Sequence, residues 1–382
     1  MNQRTRYFLR TEFRRYYAGA EIELPPDFSK REWGFIFFDG FQMERHKAFS
    51  SESEAINYIR ETVPAHAYHS SAIYSYPGSS SMKEKEWLGA DLIFDLDADH
   101  LPGKKGSYEE MLGHVKAEAI KLLDFLMNDF GFEEEMIKIV FSGGRGYHIH
   151  VRDPRIRSLG SVERREIIDY LSGRGMDVLI EKRVEGDFGY RKRGKSFEIF
   201  SESSWGRKIH KGLLNFLEEI GSMEEEAVMK ELKGMRMRKK DVKNLIRISR
   251  DEKMMKKIEK GILDIGIPRS VWKKIIERER INLEGTADEP VTADVKRLIR
   301  LPTSLHGGTG LCVKPVDLHE MKNFDPLNDA VVFGKEEVEV SVSHPFKIRM
   351  LDEEYEVGEG KKKLPKHVAI FMMCRGIAEY GF

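Results

Sequence analysis

Cysteine is nearly absent from this chain, since its 382 residues include only Cys312 and Cys374. Two cysteines are too few for a disulfide framework or for a zinc site built from cysteines. Apolar runs long enough to span a bilayer are also missing. No apolar segment follows the basic start MNQRTRYFLRTEFRRYY, so no signal peptide is expected. These absences predict a protein of a reducing compartment without a membrane span.

Net charge is absent as well, because 64 Lys and Arg residues balance 64 Asp and Glu residues. The total charge therefore gives no sign of a nucleic-acid or membrane partner, and only the local distribution of charge can do so. In residues 205–280, apolar residues recur at helical spacing, and 21 basic side chains stand against 13 acidic ones. We predict a basic helical insertion over this stretch.

The rest of the chain alternates between predicted helices and predicted strands, which indicates an α/β (α+β) protein. Helical spacing predicts helices over residues 5–17 and in YEEMLGHVKAEAIKLLDFLMNDFGF, ERREIIDYLSG and, as part of the core, LPKHVAIFMMCRGIAEYGF. Short apolar or alternating runs predict strands in WGFIFFDGFQMERH, ADLIFDLDA, IKIVFSGGRGYHIHVRD and EEVEVSVSH. We predict a discontinuous core over 1–204 and 281–345, the insertion at 205–280, and a C-terminal extension, 346–382, that packs on the core.

The segment DLIFDLDADH places carboxylates at alternate positions after an apolar run. In an extended chain, Asp95 and Asp97 share a face, and Asp99 can follow them. Like charges held together repel unless a cation lies between them, and carboxylate oxygens favour Mg²⁺ or Mn²⁺. An EF-hand is excluded because His100 and Gly106 stand where Gly and Glu are required. Solvated turn-forming acids and a catalytic two-metal site both remain open.

The segment FSGGRGYHIHV suits phosphate binding. Its glycines let the backbone approach a ligand and expose N–H groups, and its polar side chains add a hydroxyl, a guanidinium and an imidazole. These residues are Gly143, Gly144, Gly146, Ser142, Arg145 and His148. The spacing is not that of a P-loop and no helical pattern follows, which argues against an ordinary P-loop NTPase. For this turn alone, a structural hairpin remains the alternative.

The segment DEPVTADVKRLIRLPTSLHG supplies a further carboxylate and several basic residues. Asp288 stands shortly before a proline, in a stretch expected to be extended. Thr292 is expected to cap a short helix that ends before the next proline. On this helix two basic residues share a face and a third lies beside them: Lys296, Arg300 and Arg297. A basic surface helix without function is the alternative.

In their order and spacing, these three segments resemble the motifs of the archaeo-eukaryotic primases, and in particular of the small, catalytic subunits of archaeal DNA primases. The resemblance runs from about Arg31 to about His306. It implies a primase catalytic core of mixed sheets flanked by helices, and a nucleotidyltransferase that makes short primers on single-stranded DNA for replication. Two alternatives remain: a repair- or plasmid-type primase–polymerase that prefers dNTPs, and a non-catalytic DNA-binding subunit.

The resemblance also implies roles for single residues. Asp95, Asp97 and Asp288 match catalytic residues that bind two Mg²⁺ or Mn²⁺ ions, with Asp294 as a nearby alternative to Asp288. Asp99 is expected to support the site without holding metal. The residues that match nucleotide-binding positions are Ser142, Gly143, Arg145, His148, Arg300 and His306. Contacts with nucleotide or DNA are further expected for Arg45, Lys296 and Arg297.

The family commonly carries a zinc-binding Cys/His cluster soon after the first motif. Here the segment HLPGKKGSYEEMLGH has no cysteine, and His100 and His114 alone cannot form a closed tetrahedral site, so no structural zinc is expected. The resemblance implies as partners a large primase subunit, a single-stranded DNA template and NTPs or dNTPs, with a cytoplasmic, nucleoid-associated location. Template contacts are expected from the insertion and from basic residues elsewhere: Arg10, Arg14, Arg15 and residues 191–193.

Overall fold

The computed structural model describes residues 1–40, 42–100, 106–173, 175–183, 195–285 and 288–381. Its helices are α1 Gln3–Gly19, α2 Glu52–Thr62, α3 Met82–Lys85, α4 Tyr108–Asp124, α5 Ser161–Ser172, α6 Ser204–Ser222, α7 Glu225–Glu231, α8 Lys239–Ser249, α9 Glu252–Glu259, α10 Arg269–Leu283, α11 Glu289–Ala293, α12 Pro326–Asp329 and α13 Lys366–Cys374. No helix within these ranges combines the length and the apolar character needed to cross a membrane.

The strands are β1 Trp33–Ile36, β2 Glu44–Lys47, β3 His66–Ser70, β4 Ala72–Tyr74, β5 Trp87–Ala90, β6 Leu92–Asp97, β7 Ile137–Phe141, β8 Gly146–Val151, β9 Leu179–Arg183, β10 Lys195–Ile199, β11 Leu298–Arg300, β12 Pro315–Val316, β13 Glu337–Val342, β14 Phe346–Met350, β15 Glu353–Val357, β16 Gly360–Pro365 and β17 Ala378–Glu379. Small antiparallel sheets together with helices confirm the predicted mixed α/β class.

The chain divides into two compact units. The larger unit contains Met1–Ile168 and Thr286–Phe382, and the smaller contains Asp169–Gly285. In the smaller unit, helices α6 to α10 accompany the hairpin formed by β9 and β10. Helix α6 begins after Ser203, whose hydroxyl accepts a hydrogen bond from the backbone N–H of Gly206. Its buried side chains recur at helical spacing, as the sequence there predicts: Trp205, Ile209, Leu213, Phe216, Leu217 and Ile220.

The first sheet of the larger unit has the strand order β11–β3–β1–β2. It is antiparallel throughout, and its register places Arg300 of β11 opposite Tyr68 of β3. Apolar side chains of β1 pack with those of α1 and α2 in one core: Phe13, Tyr17, Trp33, Phe35, Ala55 and Ile59. This burial removes apolar surface from water and gives the sheet a fixed place in the unit.

The second sheet of the larger unit has the strand order β12–β7–β8–β6. Every residue of β8 is buried, and α4 packs against both β6 and β8. Helix α4 begins with a capping box in which Ser107 and Glu110 each bond the backbone of the other. The sheet therefore holds β6 and β8 as neighbours in a buried environment.

The C-terminal part of the larger unit contains a third sheet, with the order β16–β13–β17, and α13 connects β16 to β17 in the chain. Residues 367–373 of α13 are all buried, which confirms the prediction of an apolar core helix. The strand predicted in EEVEVSVSH is β13, whose side chains alternate between buried and less buried positions.

The prediction of a helix capped by Thr292 is wrong. Helix α11 is capped instead by Asp288, whose Oδ1 accepts a hydrogen bond from the N–H of Val291 at 3.4 Å, and it ends at position 293. The following residues turn and form β11, because their backbone groups pair with β3. Lys296 and Arg300 therefore do not share a helix face. Sheet pairing outweighs the helical spacing of the basic residues.

A buried ion pair links the residues that precede β1 of the first sheet and β6 of the second sheet. Arg31 Nη2 lies 2.6 Å from Asp91 Oδ2, and the side chains are 0% and 1% exposed. Arg31 also donates to the carbonyl oxygens of Ser70 and Ser71, at the end of β3. Because Asp91 directly precedes β6, this pair fixes the start of the strand that carries Asp95.

Arg31→Met is expected to lower the free energy of unfolding by about 3 kcal/mol, because it removes a buried charge partner and leaves carbonyl oxygens without their donor. Urea titration followed by circular dichroism measures this change. Arg14→Met, on the exposed side of α1, serves as the control and should change stability by less than about 0.5 kcal/mol. A loss below about 1 kcal/mol for Arg31→Met would contradict the role of the pair.

Candidate active site

One open cavity of the larger unit, with a volume of about 760 Å³, gathers side chains from all three sequence segments. The predicted site residues that line it are Arg45, Asp95, Asp97, Ser142, Arg145, His148, Asp288, Lys296, Arg297, Arg300 and His306. Asp294 also lines it. Arg45, on β2, thus joins the residues of the three segments at one place.

The pairing of β6 with β8 sets the geometry of the acidic side of the cavity. In their register, Asp95 lies opposite His148 and Asp97 lies opposite Gly146. The N–H of Asp288 donates to the carbonyl oxygen of Asp95 at 2.9 Å, which ties the start of α11 to β6. Asp288 therefore lines the same cavity as Asp95 and Asp97, although it is distant from them in the sequence. Within the described ranges, no three His, Cys, Asp or Glu side chains form a group that could hold a metal ion.

Negative charge accumulates around Asp95. Burial first, and then the carboxylates of Asp97 and Asp288, raise the pKa of Asp95 from 3.8 to about 6, although Arg297 and Arg300 oppose the shift. A raised pKa means that the ionised form of Asp95 is disfavoured in its folded surroundings. A cation between these carboxylates would relieve this repulsion.

The glycine turn between β7 and β8 forms the neighbouring wall. The N–H of Ser142 donates to the carbonyl of Gly146 at 2.9 Å and closes the hairpin. Gly143 has a φ of +74°, and a Cβ atom there would lie 2.6 Å from the Cβ of His306. Gly143 itself does not line the cavity, but its carbonyl oxygen accepts a hydrogen bond from the hydroxyl of Thr309 at 2.5 Å.

The two histidines of the site are neutral at physiological pH. Burial and the charges of Arg300 and Arg297 lower the pKa of His148 to about 3. Its Nε2 lies 3.5 Å from Oδ1 of Asp95. Burial and Arg300 likewise lower the pKa of His306. Nδ1 of His306 lies 3.1 Å from the hydroxyl oxygen of Thr309. Because that hydroxyl donates its own hydrogen to the carbonyl of Gly143, its oxygen accepts from His306, and we assign the ring proton of His306 to Nδ1.

Three arginines of the cavity, Arg45, Arg145 and Arg300, are each oriented by a polar partner. Arg145 pairs with Asp99, so the last carboxylate of DLIFDLDADH contacts a guanidinium in this structure. Arg45 donates to both carboxylate oxygens of Glu32, at 3.0 and 3.3 Å. Arg300 Nη1 lies 3.0 Å from the hydroxyl of Tyr68 and 2.7 Å from Nδ1 of His66. Such partners restrict how the cationic groups point into the cavity.

Several lining residues lie outside the predicted set: Met43, Tyr68, Gly308, Thr309 and Arg375. Tyr68 belongs to β3, and its contact with Arg300 depends on a strand pairing between distant segments. The guanidinium of Arg375 lies 5.2 Å from the ring centroid of Tyr108, and the Tyr108 hydroxyl bonds the carbonyl of Gly144. No motif or spacing in the sequence indicates these residues.

The remaining predicted DNA contacts lie elsewhere. Arg10, Arg14 and Arg15 are on α1 and do not line the cavity. Arg10 lies 3.4 Å from Asp39, and Arg15 pairs with Glu12. The basic loop 191–193 and residues 101–105 of the region expected to lack zinc are outside the described residues.

Comparison with known proteins identifies the family of this chain. A profile of the DNA primase small subunit family matches residues 94–318, which include the first segment from Phe94 onward and all of the other two. Full-length relatives agree with this match. The chain is 45% identical over 391 residues to the DNA primase small subunit PriS of Methanococcoides burtonii, with all of both chains covered. It is 46% identical to the proteins of the same name from Methanocella arvoryzae, over 398 residues, and Methanothrix thermoacetophila, over 395 residues, again with complete coverage. The chain therefore belongs to the DNA primase small subunit family.

Gly146→Ala is expected to lower the free energy of unfolding by about 1–3 kcal/mol, because it forces β6 and β8 apart. A Cβ at this position would lie 1.9 Å from the carbonyl oxygen of Leu96. Chemical denaturation measures the change. In Gly113→Ala, on α4, the added Cβ meets nothing within 4 Å, so this control should gain up to about 1 kcal/mol from helix propensity. Equal stability of the two variants would contradict the close approach.

Asp95→Asn is expected to stabilise the chelator-treated protein by about 2 kcal/mol near pH 7.5. Because the folded-state pKa of Asp95 is raised to about 6, the wild type loses stability as the pH rises from about 4 through about 6, and the amide does not. The gain should therefore disappear near pH 4. Unfolding curves across this range measure the gain, and Glu339→Gln, at an exposed position of β13, serves as the control. A variant less stable than wild type at pH 7.5 would refute the assignment.

Proposed function

We propose that this chain is the catalytic subunit of a DNA primase, which joins nucleotides into short primers on a single-stranded DNA template for replication. The observation that carries the proposal is the meeting of Asp95, Asp97 and Asp288 with phosphate-binding types of side chain in one open cavity. A protein that only binds DNA has no use for carboxylates clustered beside a phosphate backbone, since they would repel it. The names of the relatives support the same activity.

Asp95, Asp97 and Asp288 would hold two Mg²⁺ or Mn²⁺ ions. Their donor atoms are hard oxygens. The raised pKa of Asp95, caused first by burial and then by the charges of Asp97 and Asp288, supports this proposal, because a cation would favour the ionised carboxylates. When bound, the ions would lower the pKa of the attacking 3′-hydroxyl and offset charge on the triphosphate and on the leaving pyrophosphate. No structural zinc is proposed, and a stoichiometric zinc signal from the purified protein would contradict this.

The chain's own residues would bind and orient the nucleotide. In the reaction, the 3′-oxygen forms a bond to the α-phosphorus, the bond from the α-phosphorus to the bridging oxygen breaks, pyrophosphate leaves, and the hydroxyl proton passes to solvent. The groups that would hold the triphosphate are Ser142, Arg145, His148, Arg300 and His306, which all line the cavity. Arg45, Lys296 and Arg297 line the same cavity and would contact nucleotide or DNA. Preorganised donors of this kind stabilise charge that develops on the phosphates.

The proposed partners follow from this activity. Template binding would be mainly electrostatic and weakly sequence-specific, because any single-stranded sequence must serve. The relatives are named small subunits, and we infer a large primase subunit as the partner of this chain, acting with it on the nucleoid in the cytoplasm. NTPs are the proposed substrates, with dNTPs as the alternative.

Asp97→Asn and Asp288→Asn are each expected to reduce primer synthesis at least about a hundredfold, because an amide replaces a charged metal ligand of the same shape. The assay is de novo synthesis on unprimed single-stranded DNA, in Mg²⁺ and in Mn²⁺, with NTPs or dNTPs, with and without the large subunit. Circular dichroism monitors the fold. Glu339→Gln, outside the cavity, should retain wild-type synthesis. Near-normal synthesis by both Asn variants would sink the proposal, and products from dNTPs alone would favour the alternative substrate.

A further inference from the structure

His66 lies beside Arg300 but belongs to none of the three sequence segments. Because Tyr68 is directly opposite Arg300 in the pairing of β3 with β11, His66, two residues away along β3, lies diagonally across on the same face. Nη1 of Arg300 lies 2.7 Å from His66 Nδ1 and 3.0 Å from the Tyr68 hydroxyl. The guanidinium of Arg300 is thus held by side chains of the neighbouring strand.

The same nitrogen of His66 receives a second hydrogen bond. The backbone N–H of Gly307 donates to Nδ1 at 3.3 Å, and Gly307 directly follows His306. The rings of His66 and His306 meet edge to face, with centroids 5.0 Å apart. One acceptor atom therefore contacts both the side chain of Arg300 and the turn that carries His306.

The hydrogen bonds also determine the tautomer of His66. Both groups that face Nδ1 are donors and cannot accept, so Nδ1 presents a lone pair and the ring proton lies on Nε2. Burial and the charge of Arg300 lower the pKa of His66 to about 3, which keeps the ring neutral at physiological pH. A neutral acceptor orients the guanidinium and leaves its positive charge available to an anion.

We propose that His66 is a positioning residue that fixes the Arg300 guanidinium and the His306 turn relative to each other through Nδ1, so that both meet the triphosphate of the incoming nucleotide. The proposal rests on the proposed function, in which Arg300 and His306 bind that triphosphate. A carboxylate at position 66 would also accept both hydrogen bonds, but it would form an ion pair with Arg300 and compete with the phosphates.

Substitutions at position 66 separate these effects. His66→Asn keeps an acceptor oxygen near the place of Nδ1, His66→Ala removes the acceptor, and His66→Asp adds a charge. The Ala and Asp variants are expected to raise the nucleotide KM about tenfold, with kcat changed less than about threefold, whereas the Asn variant should stay within about threefold of wild type. Binding of ATP in Mg²⁺, measured by calorimetry, should follow KM. His319→Ala removes an exposed histidine outside the cavity and should change neither quantity.

The ¹⁵N shifts of the His66 ring in nucleotide-free protein give a reading that does not depend on activity. An unprotonated Nδ1 and a protonated Nε2 are expected. A protonated Nδ1, or equal nucleotide affinity of the Asn, Ala and Asp variants, would overturn the proposal. If His66→Ala does not fold, the nucleotide affinities of His66→Asn and His66→Asp are compared instead, and equal values would overturn the proposal. Failure of the wild type to make primers would instead overturn the proposed function, and the ring shifts and ATP binding would still decide on His66.

Discussion

The antiparallel pairing of β6 with β8 is the interaction on which the candidate site depends. It sets Asp95 opposite His148 and Asp97 opposite Gly146, so the acids and the glycine turn lie side by side without any contribution from loop flexibility. The approach at Gly146 is so close that a Cβ would meet the carbonyl oxygen of Leu96. The glycine therefore serves the strand pairing as well as access to a ligand. The backbone hydrogen bonds between β6 and β8 thus determine where the side chains of the site lie.

Charge is the second constraint, and it works against stability. Burial, and then the charges of Asp97 and Asp288, raise the pKa of Asp95, and the positive charges of Arg297 and Arg300 only partly oppose this shift. Arg145 is paired with Asp99 and Arg45 with Glu32, so cations are oriented by acids that lie beside the cavity. A bound cation would offset the charge of the carboxylates, and a bound polyanion would offset the charge of the arginines. In Asp95→Asn, the gain in stability would therefore come at the expense of the proposed metal binding.

Local features of the sequence account for much of this site. The alternation of acids in DLIFDLDADH follows from the strand period, and the glycine turn follows from the backbone freedom that only glycine has. Asp288 is identified by its segment, although its role as the cap of α11 is not. The helix predicted at Lys296 to Arg300 failed because β11 is formed by pairing with β3, a partner far away in the sequence. His66, Tyr68 and Arg375 cannot be found from the sequence for the same reason, since only tertiary contacts bring Tyr68 and Arg375 to the cavity and His66 to Arg300.

The two sides of the cavity are connected through one short stretch of backbone. The N–H of Ser71 donates to the carbonyl of Arg297 at 2.8 Å, and the carbonyl of Ser71 accepts from the N–H of Asp91 at 3.0 Å. Arg297 leads into the strand of Arg300, and Asp91 leads into the strand of Asp95, so these bonds couple the cationic wall to the acidic wall. The buried guanidinium of Arg31 reinforces the link, because it contacts both Ser71 and Asp91. Since each wall is a sheet and their junction is buried, the separation of carboxylates and phosphate-binding groups is fixed before any substrate arrives, which is the preorganisation that electrostatic catalysis requires.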